Sequence, residues 1–227
     1  MKTVRRILLP AVDHADSSHA VVKPVIGCVR DIVKTVYLAA IQVYTRFVCV
    51  EREISSSISL RARLDVVPRE ASHERHRLSL EKHSYIETAC VVCTWHGDVI
   101  LKNSASIGIG SIVIGPVQMG ENSACAQHCF ISGQSHHYED ISKNFRKQGF
   151  ETSQVIIQND VWIGSNCVIL CGAKIGNNSV IGAGSVVTGN IPPYSVAVGN
   201  PAKVIKKYDF KTEQWVRVRE SATNVRL

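Results

Sequence analysis

The stretch of sequence that decides the fold is residues 157–188, IQNDVWIGSNCVILCGAKIGNNSVIGAGSVVT. An apolar residue returns at every sixth position of this stretch, at Ile157, Ile163, Ile169, Ile175, Ile181 and Val187. An earlier run has the same period, at Leu101, Ile107, Val113, Met119, Cys125 and Ile131. A period of six matches neither the 3.6-residue period of a helix nor the two-residue alternation of a strand. The chain therefore carries a structural repeat in two runs, 101–131 and 157–187.

Three short strands joined by tight corners account for this period, with each key residue stacked on the residue eighteen positions away. Small residues follow the key residue by four positions, as at Ala105, Ser111, Ser123, Ala173, Ser179 and Ser185. Such residues fit tight corners, and asparagines such as Asn166 and Asn178 tolerate the backbone angles found there. We therefore predict a mainly β fold, a left-handed parallel β-helix with an aliphatic core.

The repeat is interrupted between Ile131 and Ile157 by residues 132–155, SGQSHHYEDISKNFRKQGFETSQV. These residues are rich in charge and carry no hexad, so we predict a loop near residues 132–156 that protrudes from the coil. Loops on a rigid scaffold often carry function. His136 and His137 begin this loop, and histidine suits proton transfer near neutral pH. Glu139, Asp140 or a backbone carbonyl is expected to orient the imidazole.

The rest of the chain is predicted to divide around the repeat. Residues 1–84 are expected to form a helical and connecting segment, with a helix over 23–53, because apolar residues there recur at three and four positions. Charged residues interrupt this helix, so we expect it to pack within the protein or to lie on a membrane surface. Residues 85–208 form the predicted β-helix, and 209–227 a helical tail.

Composition narrows the class of protein. The 227 residues are 45% hydrophobic and carry a formal charge of +7, which permits a core and favours anionic partners. No signal peptide is apparent, and eight cysteines in a chain of this size do not indicate a disulfide scaffold, so we expect a cytoplasmic protein. Cys90, Cys93 and His96 form C-x2-C-x2-H, but no second pair completes a zinc finger, and we expect no metal.

The segments SGQSHHYED, VWIGSNCVILCGAKIG and NNSVIGAGSVVTGNIPPYSVAVGNPAKVIKK together resemble the hexapeptide-repeat acetyltransferases. The likeness covers about residues 100–208, and its nearest branches are the sugar and polysaccharide O-acetyltransferases and the xenobiotic and galactoside acetyltransferases. The resemblance implies acetyl-CoA as co-substrate and a homotrimer with its active sites between subunits. The acceptor it implies is a hydroxyl of a sugar, nucleotide-sugar or glycan, and no nucleic acid is expected as a partner.

The same resemblance implies roles for individual residues. His136 matches the general base of the xenobiotic branch, with His137 as the other choice. Tyr138 and Trp162 match the neighbourhood of the acceptor and acetyl group. The residues implied to bind acetyl-CoA are Ser165, Ala183 and Thr188 along the pantetheine arm, and Lys203 and Lys206 at the phosphates. Without the family likeness, Ser165, Ala183 and Thr188 would be assigned as corner residues, and the two lysines as solvated charge.

Three alternatives remain open from the sequence. A sugar N-acetyltransferase is a close variant of the same chemistry. A γ-type carbonic anhydrase on the same fold would bind metal through three histidines, here His128 with His136 or His137. A non-catalytic β-helix that serves as a binding module is the third.

Overall fold

The computed structural model describes residues 36, 40, 50–66 and 76–218, and its strands are numbered β1–β24 in chain order. Most of the strands are short and parallel and form a coil with three sheets, which the chain visits in turn. Sheet 1 contains, in the described residues, β1 (Val50–Arg52), β4 (Leu78–Leu80), β7 (Val99–Leu101), β10 (Val117–Met119), β15 (Val155–Ile157), β18 (Lys174–Ile175) and β21 (Asn190–Ile191).

The other two sheets receive the strands that follow in each turn. Sheet 2 contains β2 (Ser57–Ile58), β5 (Tyr85–Ile86), β8 (Ser106–Ile107), β11 (Ala124–Cys125), β16 (Trp162–Ile163), β19 (Val180–Ile181), β22 (Ser195–Val198), β23 (Lys203–Asp209) and β24 (Gln214–Arg217). Sheet 3 contains β3 (Arg63–Asp65), β6 (Val91–Cys93), β9 (Ile112–Ile114), β12 (Phe130–Ser132), β17 (Val168–Ile169) and β20 (Val186–Val187). We call the corners between successive sheets the 1–2, 2–3 and 3–1 edges.

The core is the inside of this coil. Both predicted runs of key residues lie there, each at most 2% exposed, which confirms the repeat. In sheet 2 the strand register stacks one column, made of Ile58, Ile86, Ile107, Cys125, Ile163, Ile181 and Ala197. Burying each large aliphatic side chain of this kind contributes about 1.5–3 kcal/mol to folding. The architecture is consistent with the predicted left-handed β-helix.

The corners are held by the small residues that the pattern predicted. The Ser123 hydroxyl at the 1–2 edge donates to the Gln158 carbonyl at 2.6 Å and accepts from the Val161 amide at 3.0 Å. Asn166 and Asn178 adopt positive φ angles of 58° and 55°. These residues satisfy the polar backbone groups that each tight corner would otherwise leave buried and unpaired.

The β-helix begins earlier than residue 85, so the predicted helical and connecting segment over 1–84 was wrong where strands replace it. Residues 50–52 are strand rather than the end of a helix, and three further strands, β2, β3 and β4, lie within the predicted connector. The hexads here are hidden because the step between stacked residues is 28 from Ile58 to Ile86 and 21 from Ile86 to Ile107.

The predicted helical tail over 209–227 was also wrong in its described part. Lys203–Asp209 runs antiparallel to β22 on one side and to Gln214–Arg217 on the other, which extends sheet 2 as a hairpin. The remainder of the tail, and the helix predicted over 23–53 apart from Val36, Ala40 and residues 50–52, lie outside the described residues. Val36 and Ala40 have helical backbone. Both belong to a compact unit separate from that of the coil, because the chain divides between Ile41 and Gln42.

Length changes in the coil collect at the 3–1 edge. The step from Cys125 to Ile163 is 38 rather than 18, because residues 133–154 leave the coil there between β12 and β15. The extra residues of the earlier 21-residue step lie at Thr94–Gly97, also between sheets 3 and 1. Among the described residues, no helix is long and apolar enough to cross a membrane.

Gly133 marks the point where the chain leaves the coil, and it has no room for a side chain. A Cβ atom at this position would lie 2.6 Å from the Pro116 nitrogen and press on the Pro116 carbonyl oxygen. Gly133→Ala should therefore lower the free energy of unfolding by about 1–3 kcal/mol, the usual cost of overpacking. Urea denaturation followed by circular dichroism measures this change.

The matched control is Gly189→Ala, at the same edge but with no atom within 4 Å of a Cβ. We expect its unfolding free energy to stay within about 0.5 kcal/mol of the wild type. Equal stability of the two variants would contradict the close approach of Gly133 to Pro116.

Candidate active site

The interruption predicted near residues 132–156 is a hairpin that projects from the 3–1 edge. Gln134–His136 (β13) pairs antiparallel with Phe150–Thr152 (β14), and a 3-10 helix spans Phe145–Lys147. The base of the hairpin is tied to the coil, since the Gly133 amide donates to the Ile114 carbonyl at 2.8 Å and Ser153 N donates to the Gly133 carbonyl at 2.9 Å. The hairpin is therefore positioned by the rigid coil beneath it.

His136 is exposed at the end of β13, with its ring held by neighbours on the hairpin. Nδ1 lies 3.3 Å from the Gly149 carbonyl oxygen, and the ring meets Phe145 and Phe150 edge-on at centroid distances of 5.9 and 6.3 Å. This arrangement fits an imidazole whose Nδ1–H donates to the carbonyl. Nε2 then carries the lone pair, which is the form that a general base requires.

His137 has a different partner from His136. Its Nδ1 lies 3.8 Å from a carboxylate oxygen of Glu139, and its backbone amide donates to the Gly149 carbonyl. Backbone amides of Glu139 and Tyr138 lower the pKa of the Glu139 carboxyl, with a smaller contribution from His137, so this group stays charged near neutral pH. Tyr138 is 72% exposed beside them. The three predicted residues His136, His137 and Tyr138 thus lie together on the hairpin.

An open cavity of about 570 Å³ adjoins the hairpin on the same edge, and sequence reasoning missed it as a site. Its lining includes His76, His96, Asp98, Ile100, Pro116 and Gln154. The His96 ring lies 4.5 Å from the Phe150 ring of the hairpin. The Asp98 carboxylate accepts the Arg77 amide at 2.9 Å and lies 3.4 Å from the Arg77 guanidinium. The sequence feature that could have indicated this cavity is the run Thr94–Gly97, in which a tryptophan and a histidine interrupt a repeat otherwise built of small and aliphatic residues.

The 2–3 edge carries a second group of predicted residues. The Ser165 hydroxyl bonds to the Gln127 amide oxygen at 2.9 Å, and the Ser165 carbonyl accepts the Gly184 amide at 2.9 Å. One coil further on, the Gly199 amide donates to the Ser185 hydroxyl at 3.1 Å. We call this stack of residues 164–165, 183–185 and 199–202 the edge column. It brings Ser165 and Ala183 into line, with Lys203 following directly.

Lys203 and Lys206 lie on one face of β23, although a spacing of three would put them on opposite faces of a regular strand. The register shifts between Val196 and Ala197, so Lys203 pairs with Val198 and Lys206 with Val196. Because Val196 and Val198 share a face, the two lysines do as well. This bulge is invisible in the sequence pattern.

Two predicted residues lie outside the edge column, although Thr188 shares its edge with the hairpin. Thr188 is exposed at the 3–1 edge, between β20 and β21. Trp162 lies in sheet 2 between Ala124 and Val180, with 59% of its surface exposed. A single chain therefore distributes the predicted site residues over two edges and one face of the coil.

Cys90 and Cys93 are buried in the coil, whereas His96 lies at the 3–1 edge. Burial, followed by the charge of Asp65, raises the pKa of the Cys93 thiol to about 11, so this thiol stays protonated at neutral pH. His96 contacts the hairpin instead. Within the described ranges, no cluster of three or more histidine, cysteine or acidic side chains is arranged to hold a metal ion. His128 lies at the 2–3 edge, so its partnership with His136 or His137 would need a second subunit.

Comparison with known proteins supports the fold and the repeat. The family described as bacterial transferase hexapeptide (six repeats) matches residues 154–189. A protein of Escherichia coli named for lipopolysaccharide biosynthesis O-acetyl transfer, WbbJ, is 40% identical over 106 residues, which cover 44% of this chain and 54% of that protein. A protein of Mycobacterium tuberculosis named as a probable acetyltransferase is 39% identical over 97 residues, which cover 43% of this chain and 32% of that protein.

A solved structure gives a longer match at lower identity. The N-acyltransferase AntD of Bacillus cereus superposes with a TM-score of 0.61 at 17% identity, over 75% of this chain and 90% of that one, which shows a shared fold. The chain spans between about a third and about a half of the length of the two sequence relatives named above. Over these parts of its length, the chain is similar to proteins named as acetyltransferases and to the bacterial transferase hexapeptide repeat.

Proposed function

We propose that this protein transfers an acetyl group from acetyl-CoA to a hydroxyl of a sugar or polysaccharide unit. The observation that carries the proposal is the hairpin inserted into the hexapeptide coil, in which the Gly149 carbonyl orients the His136 imidazole. The names of its sequence relatives, which refer to acetyl transfer and in one case to lipopolysaccharide O-acetylation, support it.

In the proposed reaction the acceptor hydroxyl attacks the thioester carbonyl directly. The His136 Nε2 takes the hydroxyl proton as the new C–O bond forms, and the tetrahedral intermediate collapses with cleavage of the C–S bond. The proton then passes from His136 to the departing CoA thiolate. The imidazole returns to its starting form, and no acyl-enzyme is needed.

The cavity beside the hairpin supports a sugar as the acceptor. Its volume of about 570 Å³ falls within the range of small-molecule sites, and its lining combines the polar side chains of Asp98 and Gln154 with the ring of His96, against which Phe150 of the hairpin packs. Hydroxyl groups pair with carboxylate and amide oxygens, while the C–H face of a sugar ring packs on aromatic surface. The acceptor would then lie on the same edge as His136.

The edge column supports the binding of the pantetheine arm. Residues 164–165 and 183–185 are all glycine, alanine or serine, and the coils approach so closely that a Cβ on Gly164 would lie 2.6 Å from the Ala183 nitrogen. A narrow arm fits along such an edge, with Ser165 and Ala183 beside it. Lys203 and Lys206 then meet the phosphates at its end.

The edge column and His136 belong to different edges of one chain, so we propose a trimer in which the hairpin of one subunit meets the edge column of the next. In this arrangement Thr188 belongs to the subunit that supplies the hairpin, because both lie at the 3–1 edge. Trp162 lies in sheet 2. Cyclic assemblies commonly build sites from two subunits in this way.

The acceptor can be identified by following CoA release with a thiol reagent against a panel of sugars, nucleotide-sugars, amino sugars and glycans. We expect release with hydroxyl acceptors, and a product whose acetyl group hydroxylamine removes. An acetyl group that resists hydroxylamine would establish the N-acetyl alternative. If no acceptor in the panel raised CoA release above background, the result would argue against a sugar substrate.

Replacing His136 tests the assigned base. We expect His136→Ala to lower kcat by about 100- to 10,000-fold, the usual contribution of a positioned base, without changing the Kd for acetyl-CoA. The neighbouring variant His137→Ala is the matched comparison, and its loss should remain within about tenfold because this ring faces Glu139. A larger loss in His137→Ala would exchange the two roles.

Mixed oligomers test whether the site lies between subunits. His136→Ala removes the base, and Ala183→Trp blocks the edge column, so each variant alone should be inactive. Co-expressed with different tags and purified through both, the two should recover roughly a third of wild-type activity, because one of the three interfaces in every mixed trimer joins an intact hairpin to an intact column. Absence of recovery in verified mixed oligomers would contradict a shared site.

A further inference from the structure

The hairpin of β23 and β24 at the end of sheet 2 has one face that is both basic and aromatic. Cross-strand pairing sets Lys206 opposite Arg217 and Tyr208 opposite Trp215. Paired residues share a face, and residues two apart along a strand do so as well. Lys206, Arg217, Tyr208 and Trp215 therefore point to the same side of the hairpin.

The bulge in β23 adds a further cation to this side. The register shift that pairs Lys203 with Val198 and Lys206 with Val196 keeps both lysines on one face. We call the resulting surface the basic–aromatic face, formed by Lys203, Lys206, Tyr208, Trp215 and Arg217. Its aromatic rings are in contact, with 5.5 Å between the ring centroids of Tyr208 and Trp215.

In residues 50–66 and 76–218, no acidic side chain is paired with the charges on this face. Like charges placed directly opposite each other in adjacent strands destabilise a sheet. Among the described residues, no carboxylate lies within ion-pair distance of Lys203, Lys206 or Arg217. Asp209 pairs with Gln214 on the opposite side, where its carboxylate accepts the Lys211 amide and the Thr212 hydroxyl. Lys206 and Arg217 therefore form a like-charge pair whose repulsion a bound anion would relieve.

The basic–aromatic face also continues the edge column. The turn that precedes Lys203 is bonded to the column, since the Ala202 amide donates to the Val186 carbonyl at 2.8 Å and Val186 N donates to the Gly199 carbonyl at 2.9 Å. A ligand that runs along Ser165 and Ala183 toward the end of the coil therefore arrives at Lys203 and then at the hairpin.

We infer that the basic–aromatic face binds the phosphoadenosine end of acetyl-CoA, with Arg217 and Trp215 as binding residues beyond Lys203 and Lys206. This inference rests on the proposed function. A guanidinium pairs with phosphate oxygens through two parallel hydrogen bonds, and lysines add point charges around it. The exposed Trp215 ring, supported by Tyr208, offers a stacking surface for a purine base.

The test measures the Kd of the full-length protein for acetyl-CoA and its KM for acetyl-CoA and for acetyl-pantetheine, which lacks the nucleotide. Arg217→Gln and Trp215→Ala should each weaken the binding of acetyl-CoA by about five- to tenfold, the effect of losing one charge-assisted or stacking contact. The KM for acetyl-pantetheine and kcat should not change. Raising the salt concentration should weaken acetyl-CoA binding less in Arg217→Gln than in the wild type.

Lys207→Gln is the matched control, because it removes the same charge from the same strand on the opposite face, where Lys207 pairs with Val216. It should bind acetyl-CoA as the wild type does. Equal losses in Lys207→Gln and Arg217→Gln would mean that only the net charge of the protein matters. A rise in KM for acetyl-pantetheine as large as that for acetyl-CoA would mean that the substitution disturbs the structure. Either result overturns the inference. A wild-type protein that does not bind acetyl-CoA would instead contradict the proposed function itself.

Discussion

The described coil depends on the stacking of apolar side chains in its interior. Ile107 lies on Cys125 and Cys125 on Ile163, with the parallel backbone ladder holding each strand in register with the next. Because the core consists of such columns, one from each sheet, each coil is stabilised mainly by its immediate neighbours. The inner positions accept little besides aliphatic residues of similar size, whereas the outer positions and the corners are available for other chemistry.

Two edges of the coil differ in how many residues their corners hold. The 2–3 edge keeps its short corners, and its small residues form a straight column from Ser165 toward Lys203. The 3–1 edge absorbs the changes in length, at Thr94–Gly97 and at the hairpin of residues 133–154. An insertion placed at a corner leaves the stacked side chains undisturbed, so the coil carries the hairpin of residues 133–154 without loss of its core. The proposed division of labour between edges follows from where the coil tolerates additional chain.

The sequence predicted the two hexad runs and the hairpin because both depend on local spacing. It did not reveal the first coils, where steps of 28 and 21 residues break the period between Ile58, Ile86 and Ile107. It also assigned a helix to the tail, since a strand such as Gln214–Arg217 is stabilised by pairing with Lys206–Asp209 rather than by its own residues. Strand propensity is weak without a partner, and the partner is set by the fold.

By itself, then, the sequence determined the repeat, the position of its interruption and the two histidines that begin it, because a period and a break are properties of consecutive residues. Only the tertiary structure decided that His96 meets Phe150 and that Arg217 faces Lys206. These contacts join residues from different coils or strands, and their register depends on how many residues each corner holds. The number of residues at a corner decides these contacts only when the apolar side chains are stacked, because the stacking fixes the register of the strands on either side of the corner.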